Sequence, residues 1–163
     1  MNELILDTAR LKLVLQTPAE ALAQIEASSP ADRAEMSPEW LERIRATTTA
    51  DPWLHGFRVV LRVSDRVIGS AGFKGPPDAD GVVEIAYGID PEHQGQGFAT
   101  EAAQAMTAYA WTRAEVRIVR AHTLPEPNAS TRVLTKCGFR HVGEYIDPHD
   151  GLVWRWERHP NIA

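Results

Sequence analysis

Between an apolar run, Val82 to Ile89, and a long alanine-rich segment stands Pro91 to Glu101, P-E-H-Q-G-Q-G-F-A-T-E. Glycines at Gly95 and Gly97 let a backbone turn expose successive N–H groups, and the helix that follows presents the positive end of its dipole to the same place. The stretch therefore reads as a cradle for a phosphate. The loop itself carries no cationic side chain. Neutral main-chain donors would have to hold the anion, which points to a diphosphate-bearing cofactor fixed by geometry more than by charge.

The order of elements around the cradle follows from periodicity. A-R-L-K-L-V-L-Q alternates Leu11, Leu13 and Leu15 with polar neighbours and predicts a first strand. Two helices follow, Pro18 to Ala27 and Pro38 to Thr48, separated by the breaker cluster S-S-P, with Ser37 as N-cap of the second. F-R-V-V-L-R-V and R-V-I-G-S-A-G-F form a hairpin turning at Ser64-Asp65; Val82 to Ile89 is the fourth strand, and a helix runs from Gly97 to Arg113. Val116 to His122 is the fifth strand and Ala129 to Cys137 a short helix. F-R-H-V-G-E-Y-I and L-V-W-R-W-E then pair across D-P-H-D-G. With no repeat and no low-complexity linker, the order β-α-α-β-β-β-α-β-α-β-β describes one mixed α/β domain over residues 1–163.

Composition narrows the function class. A net charge of -5 gives no footprint for a nucleic-acid backbone or an anionic membrane. The N-terminus lacks the basic start and apolar core of a secretion signal, and no run of about 18 apolar residues occurs, so a soluble, cytoplasmic protein is expected. The single cysteine, Cys137, excludes an intramolecular disulfide and a multi-cysteine metal site, and reads as packing. The six histidines show no metal-ligand spacing, so no metal is implied.

Two nucleotide motifs fail at the loop. A dinucleotide turn needs G-x-G-x-x-G, but Thr100 stands at the third glycine, Asp90-Pro91-Glu92 intervenes after the strand, and the next strand ends in His122-Thr123 rather than an acid. A P-loop fails because no G-K-S or G-K-T follows. A glycine-rich connection without a ligand is the remaining alternative.

Gln94 to Ala99, Q-G-Q-G-F-A, resembles the Q/R-x-x-G-x-G/A loop of the GNAT (general N-acetyltransferase) superfamily. A-R-L-K-L, V-I-G-S-A-G-F, E-I-A-Y-G-I-D-P-E-H and N-A-S-T-R-V-L-T-K-C-G-F resemble, in order, the branch that includes ribosomal-protein N-terminal acetyltransferases. The resemblance implies a GNAT fold: a mixed twisted sheet of about seven strands flanked by about four helices, with strands four and five splayed around the cofactor. It also implies acetyl-coenzyme A as cosubstrate, with its pyrophosphate on the amides of Gln94, Gly95, Gln96, Gly97, Phe98, Ala99 and Thr100, and the thioester carbonyl on an N–H near Gly88 or Ile89. Asn128 matches an asparagine that contacts the coenzyme arm; the branch pattern N-x-x-S is shortened here to N-A-S. Capping the following helix is the other role open to Asn128.

The resemblance implies transfer of acetyl to a primary amine by direct attack. An attacking amine must be neutral, and Glu84, on the same strand face as Ala86 and Gly88, is the candidate base, acting through water or by attracting the ammonium. A solvated strand glutamate is the alternative. The tyrosine that protonates the thiolate in many relatives is Leu134 here, which leaves Ser130, matching a branch serine, as acid or thiolate donor, or as a helix cap. In the family the loop holding Asp147, His149 and Asp150 borders the acceptor site; an ordinary exposed turn would hold the same residues. Trp154 and Trp156 share one strand face, as core or as an aromatic wall. The expected partner is a small-molecule or protein amine, with a homodimer left open. The rival reading is a non-catalytic acyl-coenzyme A binding or sensing module.

Overall fold

The leucine alternation forms the strand it predicts. In β2 (Leu11–Leu15) all three leucines are buried, while Lys12 turns out to pair with Asp65. The computed structural model describes residues 4–34 and 36–160. On either side of β2 lie β1 (Ile5–Asp7) and β3 (Phe57–Leu61), and β4 (Val67–Phe73) and β5 (Val82–Ile89) extend the sheet, every pair antiparallel. β6 (Ile118–Thr123) then runs parallel to β5, and β8 (Gly151–Arg158) and β7 (Arg140–Asp147) complete the order β1-β2-β3-β4-β5-β6-β8-β7. Eight strands thus stand where seven were expected. The addition is β1, whose three residues are too few for a period to show.

Among the described residues five α-helices join them: α1 (Pro18–Ala27), α2 (Pro30–Ala34), α3 (Pro38–Ala46), α4 (Phe98–Trp111) and α5 (Ala129–Lys136), with a 3-10 turn at Pro91–His93. The S-S-P cluster is a helix start, not only a breaker. Ser29 accepts from the Asp32 N–H and Pro30 takes the first helical position, which nucleates α2. Ser37 caps α3 as expected, but that helix stops at Ala46, because the Thr47 N–H folds back to Ile44 and its hydroxyl to Arg43. The hairpin between β3 and β4 turns through residues 62–65, closed by the Leu61 N–H on Arg66, with Asp65 left-handed. No helix among the described residues is long and apolar enough to cross a membrane.

Alternation along β5 sorts the two faces. Val83, Ile85 and Ile89 pack on α4, whose fully buried Ala102, Ala103 and Ala110 let the helix lie close to the sheet. On the other face Ala86 and Gly88 pair in register with Gly72 and Ser70. Four small residues cover little. Above them α1 and α3 bury Ala21, Ile25 and Ile44 against each other as a separate small cluster, and a cavity remains between those helices and the sheet.

β5 and β6 pair only at Val82↔Ile118, Val83↔Val119 and Glu84↔Arg120. Past Glu84 they part. At the far end of β5 the chain crowds β4: a Cβ on Gly69 would lie 2.1 Å from the Gly88 carbonyl oxygen. Gly69→Ala therefore has to move backbone, and should cost about 1–3 kcal/mol, read as a lowered denaturation midpoint; an unchanged midpoint would contradict this packing.

Candidate functional site

Gly95 and Gly97 adopt φ of 78° and 85°, a left-handed backbone closed to most side chains, and Gly97 is the N-cap of α4. A glycine cap offers no side chain to the first turn, so the amides of Phe98, Ala99 and Thr100 lack intrahelical partners. These three residues, with Gln94, Gly95, Gly97, Gly88 and Ile89, line a cleft of about 340 Å³. Gln96 and Asn128, also expected at the cofactor, are not among its lining residues. The Gln96 carbonyl accepts from Arg10 Nη1 at 2.9 Å on the far side of the loop. Gln94 spends its side chain on structure, donating from Nε2 to the Ile89 carbonyl at 2.9 Å. Asn128 caps α5: its Oδ1 accepts from the Thr131 N–H, and Thr131 Oγ1 accepts from the Asn128 N–H. The Asn128 side-chain amide nitrogen stays available to a ligand.

Two features of the cleft escaped the sequence reading. Arg132 and Lys136, one turn apart on α5, line the same cleft as the loop, so cations border it as well as neutral donors. Arg10 clamps the loop from outside, with Nε on Glu101 at 2.9 Å and its guanidinium 4.3 Å over the Phe98 ring. Burial pushes the Glu101 carboxyl up, but bonds from Thr8 and Arg10 outweigh it and hold the carboxyl below its ordinary value. The spacing of Arg132 and Lys136 was readable as a helical face. Arg10, 87 residues before Gly97 in the chain, gave no local sign.

The parting of β5 from β6 decides which amide faces the slot. The Gly88 carbonyl points at Gly69 on β4. In a trans peptide the N–H points the opposite way, so the Ile89 N–H is directed away from β4 into the gap. Ile89 rather than Gly88 is thus placed to donate to a carbonyl or oxyanion there. Ser130, on the first turn of α5, does not cap that helix, since Asn128 and Thr131 do. Ser130 lines the cleft beside the Tyr87 phenol, whose pKa is raised by burial and by the nearby Cys137. Cys137 is packing: it is 3% exposed, burial raises its thiol, and Sγ lies 3.5 Å from the Thr100 carbonyl.

A second cavity, about 450 Å³, opens between the sheet and α1 and α3, and shares Tyr87 and Gly88 with the cleft. Through Met36, Trp40 and Phe73 it continues into an outer groove where Asp147, His149 and Asp150 face Glu39, Arg43 and Lys74. The loop thus borders the approach rather than the inner cavity. Backbone bonds from Asp150 and His149 lower the Asp147 carboxyl. Trp156 is core, donating to Thr123 Oγ1 at 3.0 Å and stacking on His141, and Trp154 lies tilted against the same ring; both face α5 rather than the inner cavity. Asp90, Glu92 and His93 bring ligand atoms within 4.8 Å of one another, a cluster made by the 3-10 turn, but Glu92 is paired with Arg66.

Glu84 lies on the face shared by Ala86 and Gly88, but roughly 13 Å along the strand from Gly88. It is bound at 3.1 Å by both Lys74 Nζ and His122 Nδ1. Burial pushes its carboxyl up, and the bonds and charges of His122 and Lys74 pull it further down, to a value below the ordinary 4.5. A depressed folded value stabilises above the unfolded one and is lost as pH falls through the folded one. Glu84→Gln should therefore lower the melting temperature at neutral pH, with the gap to wild type closing in acid below about 4.5. A gap that widens in acid would reverse the sign.

The acetyltransferase (GNAT) domain family model matches residues 6–140. Among curated relatives, an uncharacterized N-acetyltransferase, p20 of Bacillus licheniformis, is 32% identical over 87 residues, 53% of this chain and 49% of that protein. The chain spans about half the length of the curated relatives it matches. An acetyltransferase (GNAT family) from Bacillus anthracis superposes with a TM-score of 0.69 at 22% identity, covering 96% of this chain and 98% of that one. RimL, a ribosomal L7/L12 alpha-N-protein acetyltransferase solved with coenzyme A, superposes with a TM-score of 0.68 at 17% identity, covering 96% of this chain and 98% of that one. With a match over most of its length and the same fold, this chain belongs to the GNAT acetyltransferase family.

Proposed function

We propose that the protein transfers acetyl from acetyl-coenzyme A to a primary amine, a protein N-terminus or a small molecule, by direct attack without a covalent enzyme intermediate. The observation that carries this reading is the meeting of two cavities at Tyr87 and Gly88, beside the slot into which the Ile89 amide points. One cavity has a phosphate cradle and the other opens to solvent through a groove. Such a pair suits a donor and an acceptor that react where they touch.

The residues present fit the coenzyme. Orphan amides from Phe98 to Thr100, the left-handed glycines and the cations Arg132 and Lys136 suit its phosphates, and the Asn128 side-chain nitrogen suits an amide of its arm. Bound, acetyl-coenzyme A supplies an acetyl group activated as a thioester. The Ile89 N–H stabilises negative charge developing on the carbonyl oxygen. The Ser130 hydroxyl, backed by the Tyr87 phenol, donates to the sulfur as the C–S bond breaks. Glu84, tied to Lys74 and His122, contributes as a fixed carboxylate on the acceptor face and reaches an amine proton only through water.

Release of free thiol from acetyl-coenzyme A with a panel of amines tests the reading. Thiol release is expected; a thermal shift with the coenzyme but no thiol from any amine would leave the binding or sensing module. Ser130→Ala should lower kcat about tenfold or more with little change in coenzyme affinity, measured by calorimetry; equal losses in both would make Ser130 a binding residue only.

Arg10→Ala should weaken coenzyme A binding about tenfold, the cost of one charge-assisted bond. Lysine should not rescue it, because the fork that spans Gln96 and Glu101 is lost. Unchanged affinity in Arg10→Ala would remove the clamp.

A further inference from the structure

The inner cavity is unusual in its charge. Its polar lining is Gln16, Gln24, Ser28, His55 and Ser70; the rest is apolar or aromatic, with Trp40, Phe57 and Phe73 prominent. None of its described lining residues carries a carboxylate, an ammonium or a guanidinium. His55 is its one imidazole, 3% exposed, with Nδ1 accepting from the Asp51 N–H at 2.8 Å. That bond puts the ring proton on Nε2, which has no partner among the described residues. Burial lowers the His55 pKa, against the raising effect of Asp51, so the ring stays neutral.

Among the described residues, the charged side chains on the surrounding elements stand outside the cavity lining, Glu26, Glu42 and Arg45 of α1 and α3 included. On α1 and β3, Glu20 and Arg58 form an ion pair. Asp51 is turned to the Trp53 N–H. On β5, Glu84 is taken by Lys74 and His122. Glu39, Arg43, Asp147, His149 and Asp150 belong to the outer groove, and Arg132, Lys136 and His93 to the donor cleft. An ammonium seated against the buried wall of Ile44, Phe57, Phe73 and His55 gives up part of its water and meets no carboxylate among the described lining residues. Its neutral form loses far less.

Resting on the transfer reading above, we infer that this uncharged cavity is itself the deprotonating device: it admits the acceptor as the free base, and so selects a primary amine of low basicity whose body is apolar and carries no second charge. The consequence for selectivity is large. At pH 7 an amine of pKa about 10.4 is free base in roughly one molecule in 2,500, and one of pKa about 8 in roughly one in ten. With equal bodies, the less basic amine binds about 250-fold better. No side-chain base is needed, which agrees with the distance and ionic commitments of Glu84.

Binding, separate from turnover, reads this directly. Heptylamine and hexanediamine have equal length and differ in the second charge. Calorimetry of heptylamine at neutral pH in two buffers of different ionisation enthalpy should show about one proton released per amine bound, and affinity should rise about tenfold per pH unit below the amine pKa. Hexanediamine should bind at least tenfold more weakly, and a heptylamine fluorinated beside the amine, hence less basic, should bind more tightly at neutral pH. Ser70→Asp, which puts a carboxylate into the cavity, should abolish proton release, hold heptylamine as its ammonium and flatten the rise of affinity with pH. Binding without proton release, no binding of heptylamine, or a diamine as tight as the monoamine would overturn the inference. Heptylamine bound with proton release but yielding no thiol with acetyl-coenzyme A would sink the transfer reading while this one stood.

Discussion

β5 and β6 are parallel neighbours that share hydrogen bonds over three residue pairs and then separate. Unpaired backbone groups inside a sheet cost free energy unless something else bonds them, and the fold satisfies two of them beside the gap. The Ile89 carbonyl is taken by Gln94, and the Asp90 N–H by Ile68 across β4. The Ile89 N–H is left facing the gap. A gap bordered by outward amides is complementary to an extended ligand that carries its own carbonyls and amides. The cavity on one face of the sheet and the cleft at its edge share Tyr87 and Gly88 in their linings, next to that separation.

What holds the strands apart is local. Past Ile89 the chain enters the 3-10 turn, then the two left-handed glycines, then α4, whose alanines bind it to the core face of the sheet. After Thr123 the chain leaves β6 and re-enters regular structure only at the reciprocal Asn128 and Thr131 cap of α5. Each strand therefore ends by committing its continuation to a helix with its own fixed start. Arg10 adds a long-range tie, binding the start of β2 to the loop between β5 and α4.

The parts of the site that were legible in the sequence are those whose physics is local. Two glycines two residues apart, before a run of helix formers, announce a left-handed turn and a helix start; Asn128 announces a cap, and it is one. The alternation in Val82 to Ile89 placed Glu84, Ala86 and Gly88 on one face correctly. Illegible were the contacts that only three-dimensional closure makes: Arg10 on Gln96, Lys74 and His122 on Glu84, and Ser130 on Tyr87. Glu84 shows the consequence. From its position alone it was a free carboxylate near the chemistry; its two partners, the Lys74 ammonium and the His122 imidazole, arrive from the end of β4 and from β6, and turn it into part of a polar cluster. The β1 strand and the α2 helix were missed for another reason, since three and five residues hold fewer than two full periods of pattern, too few for a repeat to show.

The cleft and the inner cavity are therefore written in different materials. The cleft depends chiefly on backbone conformation, with left-handed glycines, a helix start and a parted strand pair, so a short motif is enough to mark it. The inner cavity depends on side chains from α1, α3, β3, β4 and the turn before β3, scattered from Gln16 to Gly88. Its character lies in what those side chains omit. No charged side chain is among its described lining residues, and four small residues on β4 and β5 leave it open. An omission has no motif, so a sequence that marks its glycine cleft plainly can carry the character of the cavity only as a folded surface.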